Sequence, residues 1–308
     1  MSALRTVLAH LRLLRPRRVG AAHEGSSQGA RAAPSPQPSP GGRGGRKGSE
    51  SRVVSVTGTR LSVERLARLR ALLGAPDDGI LPPIAAQLLA APLHLELLGD
   101  ADFPLRAMGL VHVSNTLEEH RALPDALALD LCAFVEGVVR TPRGDEVTLV
   151  TEARVGGDLV YRARTVALQK AKQRASSTEP RAVRSEPDGV LLRRTLIEVP
   201  ESMGRRYARI AGDLNPIHQH AWLARPFGFP RAIVHGTWTL SRALELARLD
   251  LPRLDQQSRP RTIECTFRKP VLLPSTVAVE VRRAGEEVRL RVVSSDDARF
   301  EHLSARVS

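Results

Sequence analysis

Hydrophobic and polar positions fall into two sets of blocks along this chain, and the sets repeat each other. In the later set Leu240, Ala243, Leu244 and Ala247 stand at i, i+3, i+4 and i+7, the stripe of a helix that buries one face. A helix is predicted over Thr237–Leu249, with Gly236 and Thr237 opening it. Ile263, Cys265 and Phe267 then alternate with polar residues in Arg261–Phe267, and Val277, Val279 and Val281 alternate after Pro274, predicting two strands around a turn. Val288, Leu290 and Val292 against Arg289 and Arg291 make a third strand, and Glu301–Val307 a fourth. The earlier set runs through an apolar helix near Ile84–Leu97, a strand around Leu110–Ser114, Pro124, and the alternation Leu127, Leu129, Leu131. Strands at Val147–Val155 and Leu159–Val166 follow. In both sets the alternating run begins three residues after the proline.

One apolar helix against a curved antiparallel sheet, written twice, is an α+β arrangement in which each sheet wraps its own helix. Antiparallel strands can cover a helix on one face and pair at an edge, so two such units can join into one sheet. This is the pattern of a double hotdog. The polar stretch Gln169–Gly189 reads as a linker, which divides the chain into a tail at 1–51, a first hotdog at 52–168, the linker at 169–189 and a second hotdog at 190–308. Upstream of the two helices, Leu66–Gly79 lies where the later half has Arg205–Ile217. Aligning Gly74 with Gly212 sets Ala75 opposite Asp213 and Ile80 opposite His218. On that alignment the first half is degenerate, and one site per chain is expected.

Composition adjusts this picture only slightly. The formal charge of +13 points toward nucleic acid or anionic lipid, yet all but four of the 46 basic residues are arginine, a bias that GC-rich coding often produces. Residues 1–50 carry nine basic groups against Glu24 and Glu50, so much of the excess sits in one appendage. With 3% aromatics there are few rings to stack on bases, which argues against single-stranded nucleic acid as a partner. Met1–Arg18 is Arg-rich and acid-poor in the manner of a transit peptide, and Gly20–Ser51 is a Pro/Gly/Ser-rich stretch expected to be disordered. A start assigned too far upstream would account for both. Cys132 and Cys265 lack metal or disulfide spacing, so a reducing, cytoplasmic setting is the default. The most apolar stretch, Ile80–Leu98, is interrupted by prolines, His94 and Glu96, so no membrane span is expected.

Chemistry concentrates in YARIAGDLNPIHQHAWLA, Tyr207–Ala224. Five residues separate Asp213 from His218, which would scatter them around a helix, but Asn215 and Pro216 favour a turn that can bring both to one water. Asn215 can orient either group or the water, or simply cap backbone amides together with Asp213. His220 follows His218 by two residues, but no third residue has convincing metal-ligand spacing. Arg205, Arg206, Arg225 and Arg268 are candidates for phosphate contact or ordinary surface arginines. His112 reads as a strand histidine.

The segment resembles the hydratase signature of the MaoC-like family: an aromatic residue, Gly-Asp-x-Asn-Pro-aliphatic-His, and a small residue, here Tyr207, Gly212, Asp213, Asn215, Pro216, Ile217, His218 and Ala224. Ala211 departs from the pattern, which usually has Ser, Thr, Gly or Cys there. FGFPRAIVHGTWTLSRAL, Phe227–Leu244, is similar to the family's lead into its central helix, and FPLRAMGLVHVSNTLEEHRAL, Phe103–Leu123, is a weaker match to the first half of two-hotdog acyl dehydratases.

The resemblance implies that Asp213 and His218 activate water and that the Gly236 amide, at a helix N-terminus, contacts a thioester carbonyl. Free N–H groups and the helix dipole would favour the negative charge developing there. It implies reversible hydration of a trans-2-enoyl-CoA to a (3R)-3-hydroxyacyl-CoA, with coenzyme A as part of the substrate and no metal or redox cofactor. Alternatives are a dehydratase acting on acyl carrier protein, a mesaconyl-CoA-type hydratase, or a non-catalytic acyl-thioester-binding hotdog. A homodimer is compatible with each.

Overall fold

The computed structural model describes residues 52–107, 109–170, 189–251 and 260–308. The expected tail, and 171–188 of the expected linker, lie outside the described residues. Ten strands run in chain order as β1 Val53–Thr59, β2 Val111–Glu119, β3 Leu129–Thr141, β4 Gly144–Val155, β5 Asp158–Lys170, β6 Val190–Val199, β7 Arg261–Phe267, β8 Ser275–Ala284, β9 Glu287–Ser294 and β10 Glu301–Val307. They form one antiparallel sheet in the order β1-β3-β4-β5-β2-β7-β10-β9-β8-β6. Read from either edge inward, the two halves have the same internal order. They meet where β2 pairs β7, from Ser114 opposite Thr266 to Glu119 opposite Arg261. The fold is the double hotdog.

The helices are α1 Val63–Leu73, α2 Ala85–Leu89, α3 Ala91–Leu98, α4 Met203–Ala211, α5 Ala221–Ala224 and α6 Gly236–Ala247. Leu240, Ala243, Leu244 and Ala247 of α6 are buried, as are Val288, Leu290 and Val292 of β9, so the predicted stripe and the predicted alternation face each other across one core. The first-half helix is not the single piece predicted over Ile84–Leu97. It breaks at Ala90 into α2 and α3, with Pro92 in the first turn of α3. Proline has no N–H for the carbonyl of Leu88 and its ring crowds the preceding turn. Strands β1 and β6 carry no prediction. Both are sheet edges whose side chains are mostly exposed, so the buried face that creates an alternation is missing.

The two halves hold each other's helix ends. Helix α1 ends at Gly74 and α4 at Gly212, both left-handed, with φ of 61° and 79°, a conformation glycine adopts without a Cβ penalty. Arg242 of α6 donates to the carbonyl of Leu73 (2.6 Å), and Trp238 donates to that of Leu72 (3.2 Å). Reciprocally, Arg65 of α1 donates through Nε and Nη2 to the carbonyl of Ile210 (2.9 and 2.6 Å), one turn before Asp213. Arg65→Ala leaves that carbonyl without its charged donor and is expected to lower stability by about 1.5–3 kcal/mol, read from urea unfolding. An unchanged midpoint would mean that water replaces the guanidinium without cost.

Candidate active site

Left-handed Gly212 stops α4 and throws the chain into a turn. The Asn215 N–H donates to Asp213 Oδ1 (3.1 Å), and Asn215 Oδ1 accepts from the Ile217 N–H (3.4 Å) as Pro216 opens a 3-10 turn over Pro216–His218. The capping bonds therefore occupy only one of the two Asp213 carboxylate oxygens. With Oδ1 committed to the turn, Oδ2 is left to face His218. The turn is pinned from behind by Ile217, Ala224, Phe229 and Ile233, with Val111 of the first half packed against them. Gly204 of α4 lies so close beneath that a Cβ there would stand 2.2 Å from the His218 carbonyl oxygen.

The second wall is Ile233–Gly236. Ile233 donates its N–H to the Ile217 carbonyl (3.0 Å), and its own carbonyl lies 2.9 Å from His218 Nδ1. A carbonyl can only accept, so Nδ1 carries the proton and Nε2 keeps its lone pair. That Nε2 is 3.8 Å from Asp213 Oδ2. Two acceptors at this separation can both receive hydrogen bonds from one water. His235 stacks on His218 with ring centroids 3.6 Å apart, and its Nε2–H donates to the Asp213 carbonyl (3.1 Å). Tyr207 meets His235 edge-on at 5.1 Å. The next residue, Gly236, begins α6, and its N–H has no partner among the described residues. A Cβ on Gly236 would come within 2.9 Å of the Phe267 ring, so glycine lets that ring close over the helix end.

Burial sets the electrostatics. It holds His218 below the ordinary histidine value of 6.5, although Asp213 and the Ile233 carbonyl pull upward. Burial and the adjacent His218 hold His235 at about 3, and burial and His112 hold His94 at about 4. His112 is lowered as well, by burial first. For Asp213, burial alone would raise the pKa, but His235, His218 and the Asn215 N–H outweigh it and the carboxyl sits low. These imidazoles titrate near 6.5 in the unfolded chain, so below that pH the unfolded state binds protons that the fold refuses. Their stabilisation is complete above pH 6.5 and shrinks as pH falls toward the folded values, and the depressed Asp213 acts in the same direction at lower pH. Urea midpoints between about pH 7.5 and about pH 4.5 are expected to fall steadily; a flat series would show that the histidines are not held neutral.

Asp213, His218 and the Asn215 turn come together, with Gly236 one residue beyond His235. His235 escaped the reading of the sequence, where His-Gly passes as an ordinary helix entry; its signal was a histidine directly before the glycine that opens the central helix. Asp213, His218 and His235 place ligand atoms within 4.8 Å of one another and could close on a divalent ion. The fit is poor: His235 Nε2 spends its proton on the Asp213 carbonyl, and near-parallel rings direct their lone pairs side by side instead of converging. His220 is turned away toward Arg205 Nη1, which also donates to the Gln219 carbonyl (2.9 Å). Arg268 pairs with Glu301 (3.2 Å). No helix among the described residues is long and apolar enough to cross a membrane.

A MaoC-like domain is matched over residues 179–299, which contain Asp213, His218, His235 and Gly236. The chain is 29% identical over 260 residues to 3-hydroxyacyl-thioester dehydratase X of Mycobacterium tuberculosis, covering 83% of this chain and 89% of that one. A crystal structure of that protein, HtdX, superposes with a TM-score of 0.70 at 29% identity, covering 82% of this chain and 98% of the other. A MaoC-like dehydratase from Phytophthora capsici shares the fold, with a TM-score of 0.63 at 15% identity over 84% of this chain and 95% of its own. These likenesses show a MaoC-like domain in the half of the chain that carries Asp213 and His218, and a similarity to a 3-hydroxyacyl-thioester dehydratase along most of the chain.

Proposed function

We propose that this MaoC-like hydro-lyase interconverts a trans-2-enoyl-CoA and its (3R)-3-hydroxyacyl-CoA by adding or removing one water held between Asp213 and His218. The observation that carries this reading is the pair of free acceptors, Asp213 Oδ2 and His218 Nε2, 3.8 Å apart. In hydration, one of the pair takes a proton from the water as its oxygen bonds to the β carbon. The Gly236 N–H, reinforced by the α6 dipole, holds the thioester oxygen as it becomes enolate-like. The proton then returns to the α carbon, so one water supplies both added groups. Proton carriers and the oxyanion donor all come from the chain, and the step calls for no metal or redox cofactor. The bond from His218 Nδ1 to the Ile233 carbonyl favours Nε2 as the basic nitrogen in each turnover.

The test is a panel of crotonyl-CoA, longer enoyl-CoAs, mesaconyl-CoA, the matching 3-hydroxyacyl-CoAs and carrier-protein thioesters, with product stereochemistry determined. Turnover of CoA thioesters to the 3R product is expected. A chain that binds these thioesters but turns none of them over would instead be an acyl-thioester-binding hotdog.

A further inference from the structure

We propose that His112, supplied by the first half, is a substrate-binding residue of this site, its imidazole N–H donating a hydrogen bond to an oxygen of the thioester substrate. The inference rests on the thioester reading above, and four observations carry it.

The first is backbone register. In the β2–β5 ladder His112 faces Ala167 while Ser114 faces Val166, so Val113 is an extra residue. Such a bulge re-aims the side chains beside it. The second is position. The His112 ring lies 6.4 Å from that of Phe267, the ring that closes over Gly236, and its neighbour Val111 packs with the Ile217 and Ile233 cluster that secures His218. The third is its lack of a partner. His94 is bonded to Thr151 (2.6 Å), and His218 and His235 to backbone carbonyls, whereas the half-buried His112 ring has no hydrogen-bond partner among the described residues. The fourth is electrostatic. After burial, Asp213 and His218 are the groups that act most on His112, and its pKa is lowered, which leaves a neutral ring with one N–H to give. The half-buried ring therefore keeps its N–H free to give, and a substrate oxygen can accept it. The thioester carbonyl is the expected acceptor because it is the oxygen assigned to the Gly236 end of the site. A half that has lost its own Asp and His would then still serve the chemistry of the other.

The test uses the purified full chain and three variants. H112F keeps an aromatic ring against Phe267 without a donor, H112Q restores a donor, and H112A serves as reference. Hydration of crotonyl-CoA is measured together with calorimetric binding of butyryl-CoA, which cannot react. Expected for H112F are a kcat/KM lower by about tenfold to a hundredfold and butyryl-CoA binding weaker by roughly three- to tenfold, with partial recovery in H112Q and little change in melting temperature. If the wild type hydrates crotonyl-CoA and H112F matches it in both rate and binding, the assignment is overturned while the hydratase reading stands. If the wild type does not hydrate, that reading fails and binding decides: weaker butyryl-CoA binding by H112F supports the assignment, and equal binding or none by the wild type overturns it. Should H112F fail to fold, H112A and H112Q decide in the same way, because equal losses in both overturn a role for the N–H.

Discussion

Asp213→Asn is expected to lower kcat for crotonyl-CoA hydration by about a hundredfold to ten-thousandfold, the range associated with losing a positioned proton carrier. The fold should survive the change. Asp213 Oδ1 accepts the Asn215 N–H at 3.1 Å, and an asparagine side-chain oxygen can accept the same bond, so the turn keeps its cap. What disappears is the second acceptor facing His218 Nε2, because an amide nitrogen there donates and cannot take a proton from water. The variant is therefore expected to bind butyryl-CoA much as the wild type does and to unfold at a similar urea concentration. A wild-type rate in D213N would eliminate Asp213 as a proton carrier. A lost rate accompanied by a large drop in stability would indicate that the carboxylate mainly organises the turn.

Gly204→Ala separates local propensity from tertiary contact. Judged by propensity, replacing a helical glycine with alanine stabilises by about 1 kcal/mol. In this fold the added Cβ would stand 2.2 Å from the His218 carbonyl oxygen, 3.2 Å from its carbonyl carbon and 3.2 Å from Leu273 Cδ1. The closest atom is backbone and cannot swing aside, so α4 and the Pro216–His218 turn must separate by roughly an ångström. Overpacking of this kind typically costs about 1–3 kcal/mol, and a comparable misplacement of a reacting group can cost about a hundredfold in rate. G204A is expected to lose stability in urea and to lose kcat together. A stabilised, fully active G204A would show that α4 does not press on the His218 turn.

Much of the fold was legible in the sequence. The strands predicted over Arg261–Phe267 and Glu301–Val307 match β7 and β10 residue for residue, and both bury alternate side chains. The alignment of Gly74 with Gly212 finds two helix ends of the same left-handed geometry, with Ala75 and Ile80 where the other half has Asp213 and His218. The edge strands and the break at Ala90 were not legible. Edges lack a buried face, and an apolar run hides the proline that divides it. Asp213 and His218 could be named because they share a short turn. His235, Gly204 and His112 could not be, because each acquires its meaning from a group distant in the chain.

The sequence by itself determined a repeated helix-and-sheet unit, one intact chemical motif and a second copy without it. Those properties reside in local periodicity and spacing. Tertiary structure alone decided that the Ile233 carbonyl accepts a hydrogen bond from the His218 Nδ1–H, leaving Nε2 basic, and that His235 stacks on His218. It alone decided that β2 meets β7, carrying His112 from one half toward the Asp213 and His218 of the other. A proton's position and a ring's partner depend on which surfaces the sheet presses together in a dry interior, and that choice is made by strand pairing and core packing across the whole chain.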